Sequence, residues 1–328
     1  MEVKICRFYI DGCYGTGKST AALNFIKLEK NNPVYYFPEP MAFWRIILET
    51  DIVQGIYSVQ DRKLRGELSL NDASLITAQL QTKFSTPYIL LHSNVSKFFG
   101  ENVTFGIPEV IFIFDRHPIA SIVCFPLARY LIGDMTLESV ISIITTLPKE
   151  TPGGNLVITD LSEDELLQRL KKRSRKGEKI DLNLLHALQN VYTMLINTKR
   201  FLELNDWYKE WDKLPVFNDC DKNYFLSQFC LEKDKPSIND TLFRVFKTSS
   251  LVKKNRSPFI IYKWALEKLV DSLENLKIFK VSFQGSPDVC VSNIREIISH
   301  MTITSTSKRF LQNLIETSKS FSKEMYCD

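Results

Sequence analysis

Three stretches of this 328-residue chain carry side chains whose types and spacing suit phosphate chemistry. In the first, Gly12 to Ser19 satisfies G-x-x-x-x-G-K-[ST] without a mismatch. An apolar β-rich run (Phe8-Tyr9-Ile10) precedes it, and a helical pattern (Ala21 to Ile26) follows. That context is what the motif requires before it identifies a phosphate-binding loop. Glycines let backbone N–H groups turn inward around anionic oxygens, and the helix start adds partial positive charge. Lys18 supplies a mobile cation for β- and γ-phosphates, and the Ser19 hydroxyl suits magnesium.

The second stretch is Pro38-Glu39-Pro40, just beyond the short strand Val34 to Phe37. The third, Asp115-Arg116-His117-Pro118, follows the almost wholly apolar run Val110 to Phe114. Ligands of open α/β sheets gather at the carboxyl ends of strands, so Glu39 and Asp115 both face the phosphate loop. A carboxylate there can accept a hydroxyl proton or hold magnesium. Arg116 can clamp a phosphate or substrate oxygen, or simply pair with Asp115. His117 can act as a base or be a hydrogen-bonded core residue. Seven cations fall within residues 169–179, Arg169, Arg173 and Arg175 among them. Such a run is either a basic, nucleic-acid-facing helix or a lid that closes arginines over a reacting phosphoryl group.

The elements that must hold these groups alternate between strand and helix. Strands are expected at the phosphate loop, at 34–37, 110–114, 155–159 and 277–283. Helices are expected over 41–58, 72–84 with a continuation past Pro87 to about 97, 119–132, 137–146 and 182–204. Asp72 reads as an N-cap, and Ser162-Glu163-Asp164-Glu165 reads as a capping box opening a helix. Residues 60–71 and 100–106 read as a loop and a linker. The pattern specifies an α/β fold of P-loop NTPase type, a five-stranded parallel sheet with helices on both faces. No linker divides the chain, so one domain (1–328) is expected, with 205–260 as a helical elaboration.

Composition fits this reading. The hydrophobic fraction is 44% and the charged fraction 24%, as in soluble globular proteins. A formal charge of +4 gives no general basis for nucleic-acid binding. The seven cysteines are scattered without metal-ligand spacing, which favours reduced thiols inside a cell. No apolar run is long enough for a membrane span.

Taken together, the quoted segments resemble the herpesviral thymidine kinases, particularly the varicella-like members with Tyr in the phosphate loop. The likeness rests on the loop, on Pro38 to Arg45, on Asp115 to Ala120, on Cys124-Phe125-Pro126-Leu127-Ala128-Arg129-Tyr130 and on Asn190-Val191-Tyr192. It extends to Asp240-Thr241-Leu242-Phe243 and Gly285-Ser286-Pro287. The resemblance implies ATP-dependent phosphorylation of the thymidine 5′-hydroxyl. Thymidylate, deoxycytidine or analogues are further expected acceptors. It implies Glu39 as the base, with Lys18, Arg116, Arg173 and Arg175 as catalytic cations and Ser19 and Asp115 as the Mg2+ pair. ATP would lie on Gly12, Tyr14, Gly15, Thr16, Gly17, Lys18, Ser19, Thr20 and Arg169, which favours the lid reading of the basic run. Gln81 would pair with the thymine edge and Arg129 would stand at its other side. Phe84 and Phe125 would sandwich the base, Tyr57 and Glu178 would take the sugar 3′-hydroxyl, and Trp44 and Tyr88 would wall the pocket. Gln81 follows from counting back from Pro87, with Gln79 as the competing register. Phe125 replaces the Tyr of simplex-type members, and Ser121 is polar where a small apolar residue can stand. A homodimer is expected, with no nucleic-acid or membrane partner. A cellular-type deoxynucleoside kinase and a non-catalytic nucleotide-binding module are the alternatives.

Overall fold

The computed structural model describes residues 2–173 and 179–325. Its centre is β1 (Glu2–Asp11), buried continuously from Ile5 to Asp11. Alternating side chains of a strand point to opposite faces, so β1 feeds two cores. Ile5 and Tyr9 belong to one apolar cluster, Cys6, Phe8 and Ile10 to the other. The chain continues through α1 (Lys18–Leu28), β2 (Val34–Phe37), α2 (Ile52–Leu64), α3 (Leu70–Ser96), β3 (Val103–Thr104) and β4 (Val110–Asp115). Next come α4 (Phe125–Leu131), α5 (Leu137–Ile144), β5 (Gly154–Asp160), α6 (Glu163–Arg173) and α7 (Leu182–Leu202). Three short helices follow, α8 (Trp207–Glu210), α9 (Asp219–Ser227) and α10 (Phe243–Phe246). The chain then forms α11 (Ile260–Glu274), β6 (Leu276–Ser282), α12 (Pro287–Ile298), β7 (Ile303–Ser307) and α13 (Lys308–Met325).

Five strands run parallel in the order β2-β4-β1-β5-β6. The sheet has seven strands rather than five, because β7 pairs antiparallel with Glu2–Ile5 and with β3. β5 joins β1 only from Arg7 onward, which leaves the first residues of β1 open on that side. β7 fills the gap. Asn155 seals the junction: its amide donates to the Arg7, Gly153 and Thr302 carbonyls, and its oxygen accepts from the Thr302 N–H.

Several local expectations are corrected. The 41–58 segment is not one helix: a π-helical turn (Phe43–Ile47) ends at the extended Leu48, and Asp51 caps α2 by accepting from the Gln54 N–H. α2 runs on to Leu64, so much of the expected 60–71 loop is helical. Ser69, not Asp72, is the N-cap of α3, and its hydroxyl in turn donates to the Asp72 carboxylate. The helix does continue past Pro87, as expected, to Ser96. The expected linker 100–106 carries β3. The Ser162 N–H bonds Gln284, while the Glu165 carboxylate turns to Arg169 and the Gly285 N–H, so no capping box closes α6. In the elaboration, Trp207 stacks on Phe243 at 5.0 Å, and the Asn190 and Asn197 amides of α7 hold the Phe225 and Leu231 carbonyls. Among the described residues no helix is long and apolar enough to cross a membrane.

His117 is used by the core. Its Nδ1 accepts from the Ile119 N–H, and its Nε2 meets the Glu150 carboxylate at 2.7 Å. Glu150 also pairs with Arg7 at 2.9 Å and lies 3.5 Å from His92. Burial pushes His92 down to about 4 from 6.5, while Glu150 is held at about 2 despite its burial, chiefly by the Arg7 charge. The unfolded chain therefore binds more protons below pH 6.5. Stability should fall as pH drops from 6.5 toward 4, by on the order of 3 kcal/mol from His92. A further loss should follow below 4.5 as Glu150 protonates in the unfolded chain. Denaturant midpoints measured from pH 8 to 4 should decline across that window, and a flat profile would contradict this account.

Candidate active site

The phosphate loop joins β1 to α1. Gly12, Gly15 and Gly17 hold φ of +124°, +86° and +95°, conformations that side chains rarely adopt. Space is short as well: a Cβ on Gly12 would lie 2.4 Å from Thr159 Oγ1, and one on Gly15 2.5 Å from Leu170. Thr16 braces the loop through the Cys13 carbonyl and Thr159. Lys18 curls back to donate to the Cys13 carbonyl at 2.6 Å. Burial, with Arg116 as the next cause, pushes the Lys18 amine down to about 8. Tyr14, Gly15, Gly17, Lys18, Ser19 and Thr20 line one hollow, and Arg169, Lys172 and Arg173 of α6 line its opposite side. Arg169 is tied to the Thr16, Phe283 and Gly285 carbonyls, so it stitches the loop to the start of α12.

At the end of β4, the Asp115 Oδ2 accepts from Ser19 Oγ at 2.6 Å and from the Tyr36 hydroxyl at 2.8 Å. Its Oδ1 is buried with no partner among the described residues. Burial, then the nearby Glu39 carboxylate, raises the Asp115 pKa. An unpaired carboxylate oxygen beside a serine hydroxyl is a donor set of hard oxygens, which fits a divalent cation such as magnesium.

Arg116 adopts φ +77°, and its guanidinium is buried. Its Nη1 donates to Asp11 Oδ1 at 3.1 Å and to the Gly12 carbonyl at 2.9 Å, and its Nε donates to Glu39 Oε1 at 3.0 Å. Asp11 Oδ1 also accepts from the Gly12 N–H and from the Tyr192 hydroxyl at 2.7 Å. The neighbouring carboxylates raise the Arg116 pKa against its burial. The cation also lies 5.0 Å above the Phe125 ring.

A second recess opens from the same point. Tyr14, Glu39 and Arg116 line it as well as the hollow, joined by Trp44, Tyr57, Gln81, Phe84, Phe125 and Arg129. Gln81 is buried while Gln79 is exposed, so the register counted from Pro87 is the one that reaches the recess. Its Nε2 donates to the Ser121 carbonyl at 2.8 Å, which orients the amide. Trp44 stacks on Phe84 at 4.0 Å and donates through Nε1 to the Phe84 carbonyl. Tyr88 packs behind this pair, 5.7 Å from Trp44, rather than lining the recess. The Arg129 guanidinium stands 5.8 Å from the Tyr57 ring. Arg175 and Glu178 lie outside the described residues.

Sequence reasoning missed Asp11 and Tyr36. Asp11 had a signal, an acid at the carboxyl end of the central strand. Tyr36 sits in a short apolar strand, where nothing distinguishes a core ring from one whose hydroxyl reaches a carboxylate.

The chain is similar to known proteins over nearly its whole length. The family model for thymidine kinase from herpesvirus matches residues 12–283. The thymidine kinase of Feline herpesvirus 1 is 48% identical over 309 residues, covering 92% of this chain and 90% of that protein. That of Equine herpesvirus 1 (strain Ab4p) is 40% identical over 329 residues, covering 99% and 94%. The crystal structure of EHV4-TK complexed with Thy and ADP superposes with a TM-score of 0.94 at 40% identity, covering 99% of both chains. From its loop to its sixth strand, then, the chain belongs to the herpesvirus thymidine kinase family.

Proposed function

We propose that this protein transfers the γ-phosphoryl group of ATP to the 5′-hydroxyl of thymidine, releasing thymidine 5′-monophosphate and ADP. One observation carries the reading: Glu39 and Arg116 border both the phosphate hollow and the aromatic recess, bonded to each other at 3.0 Å where the two meet. A phosphate tail in one and a nucleoside in the other would bring the reacting atoms to that pair. The crystallised relative carrying Thy and ADP supports the same pairing of ligands.

Glu39 takes the proton of the 5′-hydroxyl as that oxygen forms its bond to the γ-phosphorus, and the bond to the β-bridging oxygen breaks. Arg116, Lys18 and Arg173 meet the charge that spreads over the transferring group. Arg175 belongs to the same set in this reading. Ser19 and Asp115 would hold Mg2+, which would supply positive charge to offset that of the phosphates. The loop amides and Arg169 hold the rest of ATP.

The nucleoside is read by hydrogen bonds and stacking. With one Nε2 proton engaged by Ser121, Gln81 keeps the other and its Oε1 for the thymine O4 and N3–H. The base lies between Phe84, backed by Trp44, and Phe125, backed by the Arg116 cation. Tyr57, with Glu178, takes the 3′-hydroxyl, and Arg129 stands at the far edge of the base. The reading takes the chain as one kinase domain that pairs with a second copy, which light scattering on the purified protein would test.

Replacing Glu39 by Gln should leave thymidine affinity within a few-fold while lowering kcat by about 10²–10⁴, the usual contribution of a positioned base. Transfer of label from γ-labelled ATP to thymidine measures it, and an unchanged kcat would overturn the assignment. A second outcome concerns Lys18. Its amine, titrating near pH 8 in the free protein, becomes fully charged against phosphate. ATP binding at pH 9 should therefore take up a proton, seen by calorimetry in buffers of different ionisation enthalpy. Lys18→Met should abolish that uptake.

A further inference from the structure

Arg129 is a buried cation whose aim is controlled from outside the recess. Its Nη1 donates to Asp134 Oδ2 at 3.2 Å, and the other oxygen of Asp134 is paired with Lys63. Asp134 is itself buried, and Lys63 is further fixed by donating to the Gly133 carbonyl at 2.8 Å. The local sequence builds this contact. Gly133 takes φ +79° and ends α4 with two bonds, Gly133 N–H to the Tyr130 carbonyl and Asp134 N–H to the Arg129 carbonyl. That is a Schellman stop, and it folds the residue after the glycine back over the last turn of its own helix. The carboxylate of Asp134 thereby meets the guanidinium of Arg129, five residues earlier.

The second anchor comes from α2. Tyr57 and Lys63 stand six residues apart on that helix, less than two turns. Tyr57 lies against the Arg129 guanidinium and Lys63 against Asp134. One helix thus sets both the ring and the charge that surround the arginine.

We propose that Asp134, fixed in turn by Lys63, is the positioning residue that aims Arg129 at the edge of the pyrimidine opposite Gln81. This rests on the thymidine kinase reading and extends it with two residues that touch no substrate. A lone buried guanidinium has no reason to keep one rotamer, and a lone buried carboxylate would draw it fully away from the base. Three alternating charges, with the acid in the middle and shared, hold the arginine while leaving its remaining donors for the base. The net charge of the chain of three stays +1, which favours an electron-rich carbonyl edge over an amino edge.

The test is a double-mutant cycle on the full-length protein, read as thymidine Kd by calorimetry and as KM and kcat for thymidine and ATP. Asp134→Asn should raise thymidine Kd and KM about tenfold, with kcat changed less than threefold and ATP KM unchanged. Lys63→Met should do the same to a smaller extent, and Lys63→Arg should restore wild-type values. In an Arg129→Gln background, Asp134→Asn should have no further effect on thymidine affinity, because coupled residues are not additive. Should Asp134→Asn fail to fold, the Lys63 pair carries the same comparison. The proposal is overturned if Asp134→Asn leaves thymidine affinity unchanged, or weakens it equally with and without Arg129. It is also overturned if ATP KM rises in parallel, the mark of a general structural role. If the wild-type protein does not phosphorylate thymidine at all, the functional reading fails first, and the two failures are distinct.

Discussion

The structure turns on the bond set around Arg116. A non-glycine residue at φ +77° is strained, and among the described residues only Arg256 shares the condition. Such a conformation costs on the order of 1–3 kcal/mol and persists only where surroundings over-determine it. Here they do. The Arg116 N–H is held by the Ile10 carbonyl, and its guanidinium by Asp11, the Gly12 carbonyl and Glu39. These bonds tie the carboxyl ends of β1, β4 and β2 to one cation. The strained backbone aims the side chain back across the sheet edge, where a relaxed one would continue the strand direction.

The parallel sheet explains why this joint can exist. Three strands end side by side, so Asp11, Glu39 and Asp115 arrive at one edge without any helix contributing. Three carboxylates so close would repel, and the protein offsets them with Lys18 and Arg116. The balance leaves Lys18 poorly solvated and folded onto its own loop carbonyl, a position that a phosphate can take over. On the nucleoside side the same economy appears: three polar side chains of the recess already have a partner that sets their direction. Ser121 does this for Gln81, the Phe84 carbonyl for Trp44, and Asp134 for Arg129. A recess oriented in advance spends less binding free energy on ordering its own side chains.

Much of the architecture was legible because its signals were local. The glycine loop, the apolar run Val110 to Phe114 and the prolines around Glu39 each mark a strand end without reference to the rest of the chain. β7 was not legible: its Thr and Ser residues alternate weakly, and it exists because β1 extends beyond the reach of β5. The break at Leu48–Asp51 was hidden because Trp44, Ile47 and Leu48 read as one apolar helix face, although Asp51 caps a new helix there. Gln81 and Arg129 came from resemblance, since spacing alone does not distinguish a buried amide from a solvated one. Asp134 required the Gly133 turn to be seen in three dimensions.

The central claim is that one cleft presents a nucleoside alcohol to a phosphate tail at the Glu39–Arg116 pair. A crystal structure of this protein with thymidine and ADP tests it most directly. The account predicts the 5′-oxygen within about 2.6–3.2 Å of a Glu39 carboxylate oxygen, with the thymine edge on the Gln81 amide and the diphosphate in the glycine loop. Thymidine bound elsewhere, or bound with its 5′-oxygen turned away from Glu39, would contradict it.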